Sequence, residues 1–152
     1  MSKYAVHGVP ADNIYGVWED AWSYLEKAIA RFPNVPVPFD EGAVLKKLFA
    51  RDMQLWIGWD IDAARVTGAL VTEIVKDAKH PDKVFMSIPL VGADNWNAWG
   101  DELWTMLKAW GVENGCTHAL GYGRRGWTRL YGFVDCGTTD GGLPMFVRSL
   151  KR

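Results

Sequence analysis

"VFMSIPLVGADNWNAWGDELWTMLKAWGVENGCTHALGY", residues 84–122, changes rhythm twice. "VFMSIPLV" (84–91) is a short apolar run of strand type. From Trp96 the period becomes helical, because Trp96, Trp99, Leu103, Leu107 and Trp110 fall on one stripe. Gly115 stops that helix, and "CTHALGY" (116–122) is apolar and short again. Strand, helix, strand is a crossover unit, which predicts that the second strand runs parallel to the first.

Upstream, "MQLWIGW" (53–59) and "VTGALVTEIV" (66–75) are two further strands, joined to each other and to residue 84 by the polar turns "DIDAAR" and "KDAKHPDK". Three strands with short turns predict an antiparallel meander. Before them, "KYAVHGV" is an extended start, and Asp12 or Asn13 is placed to cap a helix over about Tyr15 to Arg31 with Trp18, Trp22, Leu25 and Ile29 on one face. "FPNVPVPF" (32–39) carries three prolines and breaks that helix. Asp40 caps a shorter helix, "DEGAVLKKLFA", with Val44, Leu45, Leu48 and Phe49 on its apolar side. Downstream, "GRRGWTRLYGF" (123–133) holds a short helix at most, and "FVDCG" and "LPMFVRSL" around "TTDGG" form a closing hairpin. The expected fold is α+β in one domain over 1–152: a mixed sheet with an antiparallel meander, a crossover helix and a C-terminal hairpin.

Composition narrows the function classes. With 17 basic and 18 acidic side chains the net charge is −1, which argues against a nucleic-acid or anionic-membrane partner and makes any anion site a local one. The N-terminus has no signal-like apolar run and no stretch approaches a spanning helix, so the expectation is a soluble, cytoplasmic protein. Cys116 and Cys136 are too few for a disulfide framework and are read as buried free thiols. His7, His80 and His118 share no ligand spacing, which argues against a metal site. Nine tryptophans are the unusual count; most are expected in the core, with one or two as exposed anchors of a protein interface.

The element order resembles that of the GNAT superfamily, the Gcn5-related N-acetyltransferases, and "RRGWTRLYGFVDCG" resembles the family segment in which a short helix ends in a Gly-Phe pair, here Gly132 and Phe133. "QLWIGW", "VTEIV", "LVGADNW" and "GRRGWTRLYGF" also resemble small GNAT-like proteins of phages and prophages. The resemblance implies an acyltransferase that holds acetyl-CoA between the third meander strand and the crossover strand. The backbone over Val91, Gly92, Ala93, Asp94, Asn95 and Trp96 would then hold the pyrophosphate at the start of the crossover helix. Arg124 and Arg125, with Arg129 beside them, are candidates for a phosphate or carboxylate clamp, weighed against a solvated loop and helix face, which is the favoured reading.

The pattern also departs from the family. The turn "VGADNW" has no Gly-x-Gly and no arginine, lysine or glutamine, and Asp94 is a natural helix cap that would compete with phosphate for the same N–H groups. The tyrosine that many family members place four residues before the Gly-Phe glycine is Thr128 here; Tyr131 lies three residues on, roughly 300° around a helix. Glu73 in "VTEIV" is the candidate catalytic base for an incoming amine, weighed against a plain solvent-facing strand residue, which is the favoured of the two. Two functions therefore stand side by side, with a third, a nucleic-acid binder through Arg124, Arg125 and Arg129, far behind them. One is an atypical, phage-encoded N-acyltransferase using acetyl-CoA. The other is a catalytically silent chain of the same fold that binds a phage structural protein or a host protein, in the host cytoplasm or in the virion.

Overall fold

In the computed structural model, which describes residues 3–31, 40–123 and 126–150, the expected meander and crossover both form. Strands β2 (Met53–Asp60), β3 (Arg65–Lys76) and β4 (Val84–Ala93) pair antiparallel in sequence order. Helix α3 (Trp96–Glu113) then carries the chain across to β5 (His118–Tyr122), which pairs parallel to β4. The first strand, β1 (Tyr4–Val9), adds antiparallel to β2. At the far side, β7 (Pro144–Ser149) inserts between β5 and β6 (Val134–Thr138), giving a seven-stranded sheet of order β1-β2-β3-β4-β5-β7-β6. A short helix, α4 (Gly126–Tyr131), links β5 to β6.

Alternation along the strands sorts the core into two layers. Leu55, Ile57, Val71 and Leu90 meet helices α1 (Trp18–Ala30) and α2 (Glu41–Phe49) on one face. Trp56, Leu70, Met86 and Ile88 meet α3 on the other, where Trp99, Leu103 and Leu107 are buried as the stripe requires. Asp40 caps α2 as expected, its carboxylate accepting from the Ala43 N–H at 2.8 Å. Asp12 and Asn13 do not cap α1. Residues Ala11–Gly16 form a 3-10 turn instead, and Val17 precedes α1 with no side-chain cap. Burial of Ile14 decides this, because the tighter turn carries that side chain into the core, where it is 1% exposed. The proline-rich segment 32–39 and Arg124 and Arg125 lie outside the described residues.

Two other expectations change. Cys116 is buried, which pushes its thiol pKa up, but Cys136 is exposed on the edge strand β6. None of the nine tryptophans is exposed: Trp18, Trp56, Trp99, Trp104 and Trp127 are buried and the rest are half-buried. The indoles fill the two core layers, so the tryptophan count no longer argues for an interface anchor. Among the described residues no helix is long and apolar enough to cross a membrane.

Candidate functional site

Strand β4 is the element that makes the site. Its register with β3 shifts between the Val71–Leu90 and Glu73–Ser87 pairs, so β4 carries an extra residue at Ile88–Pro89. Pro89 has no N–H to offer a neighbour, which suits a bulge. The parallel pairing with β5 ends at the same place, the Ile88–Gly121 pair, while β4 continues alongside β3 as far as Ala93. Beyond Ile88 the two central strands therefore diverge, and the β5-side edge of β4 has no strand partner. The proline inside "SIPLV" was the sequence signal for this departure.

The end of β5 is held away from β4 by a wedge. Trp127 of α4 lies over Gly121, where an added Cβ would come within 2.6 Å of the indole. Its Nε1–H donates to the Tyr122 carbonyl at 3.3 Å, and its own carbonyl accepts from the Phe133 N–H at 3.3 Å. The gap so formed is a cavity of about 500 Å3. Val91 and Ala93 line it from β4, Trp96 from the start of α3, Trp127 and Tyr131 from α4, and Arg31 from the end of α1. Its walls are mostly apolar with a few convergent polar groups, the usual character of a small-molecule site.

Tyr131 reaches this cavity although its position in sequence argued against it. Six residues of α4 and a turn at Gly132 leave its ring against Trp96, Trp104 and Trp127. The Trp96 indole N–H donates to the Tyr131 hydroxyl at 2.8 Å. Burial pushes the Tyr131 pKa up to about 12; the Trp96 N–H opposes the rise and the nearby Asp101 carboxylate adds to it. At neutral pH this phenol keeps its proton and is a hydrogen-bond donor at the cavity wall.

The other expected site residues separate into groups. Val91, Ala93 and Trp96 line the cavity. Gly92 faces the other way: it is seated against α1, where a Cβ would stand 2.2 Å from the Tyr24 carbonyl oxygen. Asp94 does not cap α3. Its carboxylate accepts from the Tyr24 hydroxyl at 2.9 Å, and its carbonyl accepts from the Trp99 indole N–H at 2.9 Å. Asn95 precedes α3 in a left-handed conformation (φ 54°) with no side-chain cap bond. The competition between Asp94 and a phosphate expected from the sequence is therefore absent at the helix terminus. Glu73 is neither freely solvated nor at the cavity: its Oε2 accepts from Lys47 Nζ at 3.0 Å, with 23% of its side chain exposed. It stands opposite Ser87, one residue before the strands part, on the α1/α2 face of the sheet. Next to it, the Ser87 hydroxyl donates to Tyr122 Oη at 3.2 Å, and burial raises the Tyr122 pKa. No group of histidine, cysteine, aspartate and glutamate side chains among the described residues could hold a metal ion.

Parallel β4 and β5 that part at a bulge, bridged by a long helix and followed by a short helix and an antiparallel hairpin, define a known architecture. The chain has the GNAT fold. A GNAT-family acetyltransferase from Listeria monocytogenes superposes with a TM-score of 0.61 over 96% of this chain and 94% of its own, at 10% identity. Ard1 from Thermoplasma volcanium matches with a TM-score of 0.67 at 12% identity, covering 99% of each chain. FeeM, an N-acyl amino acid synthase from uncultured soil microbes, also matches at 0.67 and 12% identity, over 98% of this chain and 91% of its own. No protein-family model matches the sequence, and no curated protein does. The GNAT likeness therefore lives in the fold and not in sequence motifs.

Two phenols, Tyr24 buried and Tyr131 half-buried, give the GNAT scaffold a readable response to alkali. Tyr24 is raised to about 12, by burial first, then by its hydrogen bond to Asp94 and that carboxylate's charge, against the opposing Arg65. Tyr131 is raised to about 12 as well. Both are stabilising in the neutral form, so their contribution is complete below the unfolded value of about 10 and disappears as pH rises toward 12. Urea unfolding at pH 8 and pH 11 is expected to show a fall in stability that shrinks in a Tyr24→Phe, Tyr131→Phe double variant. An equal fall in both proteins would place the two phenols in water.

Proposed function

We propose that the protein is an N-acyltransferase that takes an acyl thioester, acetyl-CoA as the reference donor, into the gap between β4 and β5. The observation that supports this is the parting of two parallel strands around a cavity of about 500 Å3 with a protonated phenol in its wall. The residues fit the arm of such a donor: apolar Val91, Ala93 and Trp127 beside the stretch of β4 that has no strand partner on its β5 side. Bound there, the donor supplies the activated carbonyl and a thiolate leaving group.

This chain's own residues supply position and protons. Tyr131 donates a hydrogen bond to the departing sulfur. Handing over the proton from a phenol near 12 to a thiolate near 8.5 would be uphill by about 5 kcal/mol, so hydrogen-bond stabilisation is its role. From the opposite face, Glu73 accepts the proton of the incoming amine, and Lys47 is the cation that this amine displaces. Calorimetric titration with acetyl-CoA is the test. A Kd in the micromolar range is expected, and no binding up to millimolar donor would refute the reading.

A second reading, a non-catalytic and phage-encoded member of the fold that acts by binding a protein, is favoured by one contact. The Trp96–Tyr131 hydrogen bond joins two bulky side chains in the wall of the gap, where the family pattern is glycine-rich. Absence of donor binding together with capture of a defined phage or host protein would support it.

A further inference from the structure

The charges around the gap are not those of the chain as a whole. Its formal charge is −1, yet among the described residues the cavity is lined by two arginines, Arg31 and Arg129, and by no carboxylate. The two arginines come from different elements. Arg31 follows the last turn of α1, and Arg129 lies on α4 on the other side of the gap. Both are exposed, and neither belongs to any of the ion pairs among the described residues, which are Lys47–Glu73, Arg51–Asp12 and His80–Asp77. The C-terminus of α1 tolerates the Arg31 cation without a partner, since the helix dipole is negative there. Two unpaired guanidiniums facing an apolar-walled gap are arranged for an anion at the end of an apolar arm.

We propose that Arg31 and Arg129 clamp the phosphate end of the acyl donor across the gap, in place of the glycine-rich turn this chain lacks. A phosphate monoester or pyrophosphate carries close to two negative charges or more, enough to engage two guanidiniums from opposite walls. A carboxylate carries one. This assignment rests on the acyltransferase reading and adds to it the residues that select a phosphorylated donor.

The test compares coenzyme A with pantetheine, which has the same thiol arm and no phosphate, using the fluorescence of Trp96 and Trp127 and calorimetry. Wild type is expected to bind coenzyme A about a hundredfold more tightly than pantetheine. Arg31→Gln and Arg129→Gln are each expected to weaken coenzyme A about tenfold and leave pantetheine unchanged. Thermal unfolding of each variant verifies that it folds, and the lysine substitutions should restore part of the loss. If coenzyme A keeps its advantage in both glutamine variants, the clamp is wrong and the phosphate is held elsewhere, while the acyltransferase reading survives. If neither ligand binds wild type, that reading fails with it. Arginine-dependent binding of an amino-acid carboxylate, with no preference for coenzyme A over pantetheine, would overturn the phosphate assignment in favour of an acceptor site.

Discussion

Gly92→Ala is expected to destabilise the protein by about 3 kcal/mol or more, lowering the melting temperature by roughly 6–12 °C for a chain of this size. The reason is a contact between two backbones. A Cβ at position 92 would lie 2.2 Å from the Tyr24 carbonyl oxygen and 2.8 Å from its carbon, so no side-chain rotation relieves the overlap. Either α1 lifts from β4 or the strand bends at the edge of the cavity. Lifting α1 would break the Tyr24–Asp94 hydrogen bond and move Arg31. Gly16→Ala is the matched control: nothing lies within 4 Å of the Cβ it would carry, and a change of no more than about 0.5 kcal/mol is expected. Thermal and urea unfolding of both variants decide the matter. A Gly92→Ala protein as stable as wild type would mean that α1 does not rest on β4 at this point.

Tyr131→Phe is expected to lower kcat about a hundredfold with little change in donor KM, measured as thiol release from acetyl-CoA across a panel of amines. The hydroxyl stands in the wall of the gap, and its high pKa keeps it protonated throughout the working pH range. Trp96→Phe serves as comparison. It removes the indole N–H that points at Tyr131 Oη and leaves the phenol in place, so a smaller loss is expected. If Tyr131→Phe turns over like wild type, the phenol is a packing residue and the leaving sulfur is stabilised by another group.

The layout was legible because it is written in local periods. The change from strand to helical rhythm at Trp96, the stop at Gly115 and the short turns of the meander all act within a few residues, and the pairing and the parallel crossover follow them. Asp40 capped its helix because an N-cap is a contact over three residues. Asp12 and Asn13 misled, since burial of Ile14 outweighed a cap that was locally available.

The site was less legible. Of the residues the family layout points to, Val91, Ala93 and Trp96 line the gap, whereas Gly92 and Asp94 are seated against α1. Strand alternation explains the split: neighbouring residues on β4 face opposite layers, so a contiguous loop could not all point at one ligand. Helical spacing argues against Tyr131, yet six residues of helix ending before Gly132 place its ring at the wall. No local pattern links Glu73 to Lys47, which lies 26 residues away and meets it through the packing of α2 on the sheet.

By itself, then, the sequence determined the α+β layout, the meander, the crossover and the near-neutral charge, because these depend on periodicity and composition. Only the tertiary structure decided where β4 and β5 part, which phenol lines the gap, and that Arg31 and Arg129 share it. Those depend on how residues far apart in the chain are carried together by packing, and no local pattern records a distance between elements.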